Sequence, residues 1–245
     1  MIPNDYNDTH PIRNHLLAAL PKPEFERMTP KLHEIDLVFD TDIYKLNDTI
    51  SDVYFPNSGI ISLLAAVDQS STTEVGIVGR EGMVGLPVFL GVNISRVRAV
   101  VQGTGRALSM KADDFRIECA RGDMLNDILR RFANSMMVQI SQSAVCFRFH
   151  LIEQRLARWL LMTSDRMEKD DLKVTQEFLS NMLGVRREAV NRAAKLLEKL
   201  GLLANSRGSV DILDRPGLEE AACVCYSVVR EEEERVIAAA QTAGQ

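Results

Sequence analysis

The sequence predicts an α+β chain: a β-barrel or jelly-roll domain first, then one long helix, then a small helical domain closed by a β-hairpin. Three observations carry that prediction. Short, alternating apolar runs separated by turn residues fill residues 35 to 110, the period changes near residue 111, and two short helical runs flank Gly184. With 245 residues, 46% hydrophobic and 26% charged, the chain is long enough for two cores and has an ordinary globular composition. The expected division is a β-barrel domain with flanking helices over residues 1–121, a long helix over 122–150, a second domain over 151–230 and a tail over 231–245.

The N-terminal stretch M-I-P-N-D-Y-N-D-T-H-P has neither a basic region nor an apolar run, so no secretory signal is expected. No later stretch approaches the roughly 18 apolar residues of a membrane span. A cytoplasmic protein with no membrane partner is the expectation. Runs such as S-D-V-Y-F-P-N-S-G, I-I-S-L-L-A-A-V and A-V-V-Q-G-T-G-R-A-L-S-M then read as antiparallel strands. A cupin-type metal enzyme would need histidine ligands on such strands, and none occurs between residues 36 and 110. Cys119, Cys146, Cys223 and Cys225 lack C-x-x-C spacing and read as free thiols, while His10, His15, His33 and His150 are scattered. No metal, no cofactor and no enzymatic activity are expected.

From Asp123 to Phe149 there is no proline or glycine, and Leu125, Leu129, Phe132, Met136, Ile140, Ser143 and Phe147 recur at helical spacing. A helix of about 25 residues spans about 38 Å, more than one small barrel covers. Leu129, Phe132, Met136, Ile140, Ser143 and Phe147 are therefore expected to pack on the same helix of a second chain, giving a homodimer. A second helix is expected from Leu151 to about Arg166, with His150 at the junction. Residues 167–174 read as a charged surface connection. The last fifteen residues open with four glutamates and read as a short exposed helix and a frayed tail.

Residues 175–201, T-Q-E-F-L-S-N-M-L-G-V-R-R-E-A-V-N-R-A-A-K-L-L-E-K-L-G, meet the requirements of a helix-turn-helix. Thr175 is a good N-cap for a helix over Gln176–Leu183. Ser180 is the small residue expected where the two helices cross, and Gly184 tolerates the positive φ of the turn. Leu179, Leu183, Val185, Val190, Ala193 and Leu197 face the shared core. Arg186, Arg187, Glu188, Asn191 and Arg192 are left toward solvent near the start of the second helix, the end that reaches base edges in a major groove. Arginine can donate a bidentate pair to guanine, and glutamate can accept from cytosine. Between Arg186 and Arg207 six basic and two acidic residues give a local net of +4 in a chain of net charge -5. Positive charge is concentrated there, as a phosphate-binding face requires, with Thr175, Gln176, Arg186, Lys195 and Arg207 as the expected phosphate contacts. After Gly201, L-L-A-N-S-R-G-S-V-D-I-L-D reads as a two-stranded wing.

This order of elements resembles the CRP/FNR family of bacterial transcription regulators over nearly the whole chain. The most specific residues are G-V-R-R-E-A-V-N-R, similar to the family's G-x-S-R-E-T-V-x-R, followed by L-E-K-L-G-L-L. The resemblance implies a degenerate cyclic-nucleotide-binding-like domain, a dimerisation helix and a winged helix-turn-helix. It also implies double-stranded DNA as partner, RNA polymerase beyond it, and Arg187, Glu188 and Arg192 as base readers, with Asn191 at a variable position that tunes half-site choice. Arg186 replaces the usual serine.

Family members with a cyclic-nucleotide pocket carry G-E-L or G-E-A followed by R-S-A or R-T-A. Here Gly85 is followed by Leu86, and neither Arg96 nor Arg98 begins such a triplet. An apolar leucine cannot accept a ribose hydroxyl, and leaving that group unpaired on burial costs about 1–3 kcal/mol. Cyclic AMP is not the expected ligand of a pocket at Gly85, Leu86, Arg96 and Arg98.

Overall fold

A computed structural model of the chain describes residues 12–66 and 72–243, so His10 lies outside the described residues. Two short helices, α1 (His15–Ala18) and α2 (Lys22–Met28), lead into seven strands: β1 (His33–Leu37), β2 (Asp42–Tyr44), β3 (Asp52–Pro56), β4 (Ile60–Ala66), β5 (Thr72–Val78), β6 (Arg98–Gly103) and β7 (Gly105–Lys111). Helix α3 (Leu86–Phe89) separates β5 from β6. The strands form two antiparallel sheets, β1-β7-β3 and β2-β6-β4-β5. Alternation sets the faces. In β3, Val53 and Phe55 are fully buried while Tyr54 between them is half-buried, so the first two meet Leu37, Ile61, Val101 and Met110 in a shared core. Each fully buried side chain of this kind contributes about 1.5–3 kcal/mol.

The four-stranded sheet is covered on both faces. Ile61 of β4 joins that first core, whereas Ile60 and Leu64 join a second core with Leu156, Leu160 and Leu161. This two-sided burial explains why I-I-S-L-L-A-A is apolar on both faces apart from Ser62, whose hydroxyl is hydrogen-bonded to Glu74.

After α4 (Ala112–Cys119), helix α5 runs from Met124 to Phe149 with Asp123 as N-cap, as its periodicity predicts. Its direction of burial corrects the expected dimer seam. Leu129, Phe132, Met136 and Ser143 are 0%, 3%, 5% and 6% exposed within one chain, and the first three belong to the sandwich core. Gln139 fixes the contact with β5: its Oε1 accepts from Ile77 N at 2.6 Å and its Nε2 donates to Ile77 O at 3.3 Å. Only Ile140 and Phe147 of the expected seam are exposed, and Met137 beside them is 61% exposed. The helix carries apolar residues on two faces, and the sequence period marks the inner one.

Helix α6 (Ile152–Met167) follows, then β8 (Asp171–Leu172), α7 (Gln176–Leu183), α8 (Arg187–Lys199), β9 (Leu203–Ser206), β10 (Ser209–Ile212), α9 (Arg215–Ala221) and α10 (Cys225–Ala243). The charged segment expected as a plain connection contains β8, which completes a three-stranded sheet of order β8-β10-β9. The C-terminal expectation is also corrected. Helix α10 crosses the expected boundary at residue 230, buries Tyr226, Val229 and Val236, and packs along α5. The glutamate run is partly paired: Asn134 donates to Glu232 Oε1 at 2.6 Å, and buried Arg166 bridges Glu233 and Glu81. Residues 244 and 245 lie outside the described residues. No helix among the described residues is long and apolar enough to cross a membrane.

Candidate nucleic-acid interface

The candidate surface is built from a cap, a turn and a two-faced helix. Thr175 holds extended backbone angles, and its hydroxyl accepts from Phe178 N at 3.1 Å, starting α7 where the sequence places it. Gly184 ends that helix at φ +62, a left-handed conformation that glycine adopts without a Cβ penalty. Val185 N then donates to Ser180 O at 3.0 Å, closing the turn. Ser180 itself is half-buried, donates to Glu177 O at 2.7 Å, and borders a cleft shared with Ala65 and Thr73 of the four-stranded sheet. Leu179, Leu183 and Val190 are buried, and Val185 packs against the same core half-buried.

Arg186 is the N-cap of α8 in extended conformation, at the start of the second helix. Val190, Ala193, Ala194 and Leu197 form the inner face of α8. Arg187, Glu188, Arg192 and Lys195 are exposed on the outer face, at the three- and four-residue spacings that place side chains together. Asn191 is half-buried and accepts from Gln176 Nε2 at 3.4 Å, which ties the start of α7 to the middle of α8. Arg207 stands exposed at the tip between β9 and β10. The structure thus brings together every residue expected to read bases, and sets Arg186 and Arg207 at the margins of the same domain. The positive end of the α8 dipole adds to this charge.

The expected effector residues do not converge on one polar pocket. Gly85 is buried at φ +102 against Val53, and Leu86 packs on the sandwich core. Arg96 is exposed and donates to Asn47 Oδ1 at 2.8 Å, while Arg98 pairs with Asp42. Both guanidinium groups are held by local partners. A different cavity opens between β5, α5 and α6, lined by Glu74, Gln139, Ser143, Cys146, Arg155, Arg158 and Trp159. Ser62 donates to Glu74 Oε2 at 2.6 Å and Trp159 Nε1 to Glu74 Oε1 at 2.9 Å, yet burial outweighs these bonds and pushes the Glu74 carboxyl up to about 7.

One group was missed by sequence reasoning. Cys146, His150, Cys223 and Cys225, read as unrelated free thiols and a junction histidine, meet at one point. The available signal was weak: Cys146 and His150 stand one helical turn apart at the end of α5, and the C-V-C pair lies 77 residues away from Cys146.

Residues 154–221 match the Crp-like helix-turn-helix domain family. No curated protein sequence matches the chain. Among solved structures, one from Eubacterium rectale assigned to the Crp/Fnr family is similar with a TM-score of 0.67 at 18% identity, over 84% of this chain and 96% of the other. FixK2 from Bradyrhizobium japonicum gives 0.67 at 16% identity, over 79% and 98% of the two chains. The c-di-GMP-responsive global regulator CLP from Xanthomonas campestris gives 0.62 at 20% identity, over 78% and 98%. At these identities the likeness shows the fold. Residues 154–221 accordingly belong to the Crp-like helix-turn-helix domain family, and the chain as a whole has the fold of these solved regulators.

Proposed function

We propose that the chain is a homodimeric, sequence-specific DNA-binding transcription regulator that acts on a palindromic operator in the cytoplasm. One observation carries the reading: the outer face of α8 presents Arg187, Glu188 and Arg192 to solvent at the start of a helix whose other face is sealed into the domain core. In this reading those three side chains contact base edges, and Asn191, held by Gln176, adjusts half-site choice. Thr175, Gln176, Arg186, Lys195 and Arg207 contact phosphates and set the register of α8 on the duplex. The second subunit packs on the exposed α5 face that carries Met137 and Ile140. A two-fold axis there spaces the half-sites about one helical turn, roughly 34 Å, apart. RNA polymerase is the onward partner.

The sensor half supports an effector other than cyclic AMP, or none. Leu86 stands where a ribose-binding glutamate is needed, and Arg96 and Arg98 are bound to Asn47 and Asp42. Genome-wide mapping of bound DNA tests the central reading. The expected outcome is one palindromic motif lost together with Arg187 and Arg192. Enrichment without a shared motif would overturn it.

A further inference from the structure

Four side chains that are distant in sequence meet in the fold, and the DNA-reading surface uses none of them. Cys146 lies in the last turn of α5, His150 is the C-cap of that helix, Cys223 follows α9 and Cys225 opens α10. One ligand atom from each, three Sγ and one ring nitrogen, lie within 4.8 Å of one another. Cys146 Sγ is 3.4 Å from Cys223 Sγ, and Cys225 Sγ is 3.5 Å from His150 Nδ1. In a tetrahedral zinc site, with Zn–S about 2.3 Å and Zn–N about 2.0 Å, ligand atoms stand about 3.5–3.8 Å apart. The sulfurs are sealed from solvent, since Cys146, Cys223 and Cys225 are 2%, 4% and 0% exposed.

A second observation points to the same place. Arg158 is 7% exposed, its Nε has no hydrogen-bond partner among the described residues, and its Nη2 donates to Ser143 Oγ at 3.3 Å. It interacts with Cys146 and with the Glu74 carboxyl, and all three line one cavity. A buried guanidinium of this kind requires negative charge nearby.

We propose that Cys146, His150, Cys223 and Cys225 form a mononuclear Cys3His site for a zinc-like divalent cation. On binding, each of the three thiols releases its proton to solvent and the neutral imidazole coordinates through Nδ1. Three thiolates and a divalent cation sum to one negative charge, which Arg158 offsets. The compactness of the group selects a single ion, because a two-iron cluster divides its ligands between two metal atoms and needs wider separations. The site clips the end of α5 to the α9–α10 link, and so fixes how the helix-turn-helix domain leaves the long helix. This inference does not depend on the DNA-binding reading.

The test uses the full chain, purified anaerobically, stripped with a chelator and titrated with Co2+ and then Zn2+. One Co2+ per chain is expected, with a thiolate-to-cobalt charge-transfer band and the intense visible bands of four-coordinate geometry, displaced by one Zn2+. Cys225→Ser and His150→Ala should lose stoichiometric binding while Cys119→Ser retains it. Native mass spectrometry of the unmodified chain keeps the proposal testable if a variant misfolds: one zinc with loss of thiol protons is expected. No four-coordinate spectrum, iron with acid-labile sulfide, or a Cys146–Cys223 disulfide in the anaerobic protein would each overturn it.

Discussion

The Trp159 indole donates to Glu74 Oε1 at 2.9 Å, so α6 of the helix-turn-helix half is hydrogen-bonded to β5 of the N-terminal sheet half through a carboxyl that burial pushes up to about 7. A carboxyl whose pKa rises on folding, here from 4.5, binds its proton more tightly in the folded chain. The stability it contributes is fully present below 4.5 and is lost as pH rises through about 7. Each pH unit between the two values corresponds to about 1.4 kcal/mol at most. The melting temperature should therefore fall between pH 5 and pH 8, and Glu74→Gln should flatten that fall. Glu233, also pushed up to about 7 by burial, leaves a residual slope of the same sign. Thermal denaturation at several pH values checks this, and an unchanged slope in Glu74→Gln would remove Glu74 as the cause.

Base readers and phosphate contacts separate by their salt dependence. Arg187→Ala and Arg192→Ala should each weaken operator binding by about 1–3 kcal/mol and relax base preference. Arg186→Ala and Arg207→Ala should weaken specific and scrambled duplexes alike, and each should reduce the slope of log affinity against log salt by about one. Fluorescence anisotropy on both duplexes over a range of salt reads the two effects. If Arg187→Ala behaved like Arg207→Ala, α8 would lie on the backbone and not in the groove.

The helix-turn-helix was legible in the sequence because its determinants are local: the Thr175 cap, the Gly184 turn and the inner face of α8 lie within one short window. The two sheets were legible for a similar reason, through alternation within each strand. What escaped depends on partners far along the chain. Glu233 reads as part of a solvated acidic run until Arg166, 67 residues earlier, is placed against it. The orientation of α5 escaped because both of its faces carry apolar residues, and only β5 and α10 decide which one is inward. The thiol cluster escaped because the spacing of Cys146 from Cys223 is set by the fold of the whole domain between them.

The two faces of α5 give opposite expectations for substitution. Met137→Glu and Ile140→Glu alter exposed side chains, so the chain should stay folded but shift from dimer to monomer in sedimentation. Phe132→Ala removes a side chain 3% exposed in the core, and should cost about 3–5 kcal/mol of stability instead. A dimer that survives Met137→Glu with Ile140→Glu would place the second subunit elsewhere.

Gly184 sets the turn that aims α8 against β5 of the four-stranded sheet. Its φ of +62 places an added methyl in a left-handed conformation, which costs about 1–2 kcal/mol in a non-glycine residue. The same methyl would stand 2.9 Å from Thr73 Oγ1 on β5, so the substitution also presses the helix-turn-helix away from the sandwich. The two costs can be separated. Gly184→Ala alone should lose both, whereas in a Thr73→Ala background it should lose only the backbone part, and the double-mutant cycle gives the remainder as a coupling energy. A positive coupling in thermal or urea unfolding shows that the turn rests on β5 in solution. A cycle that closes to zero would show that the turn does not rest on Thr73, leaving the reading head free to move independently of the sandwich at this contact.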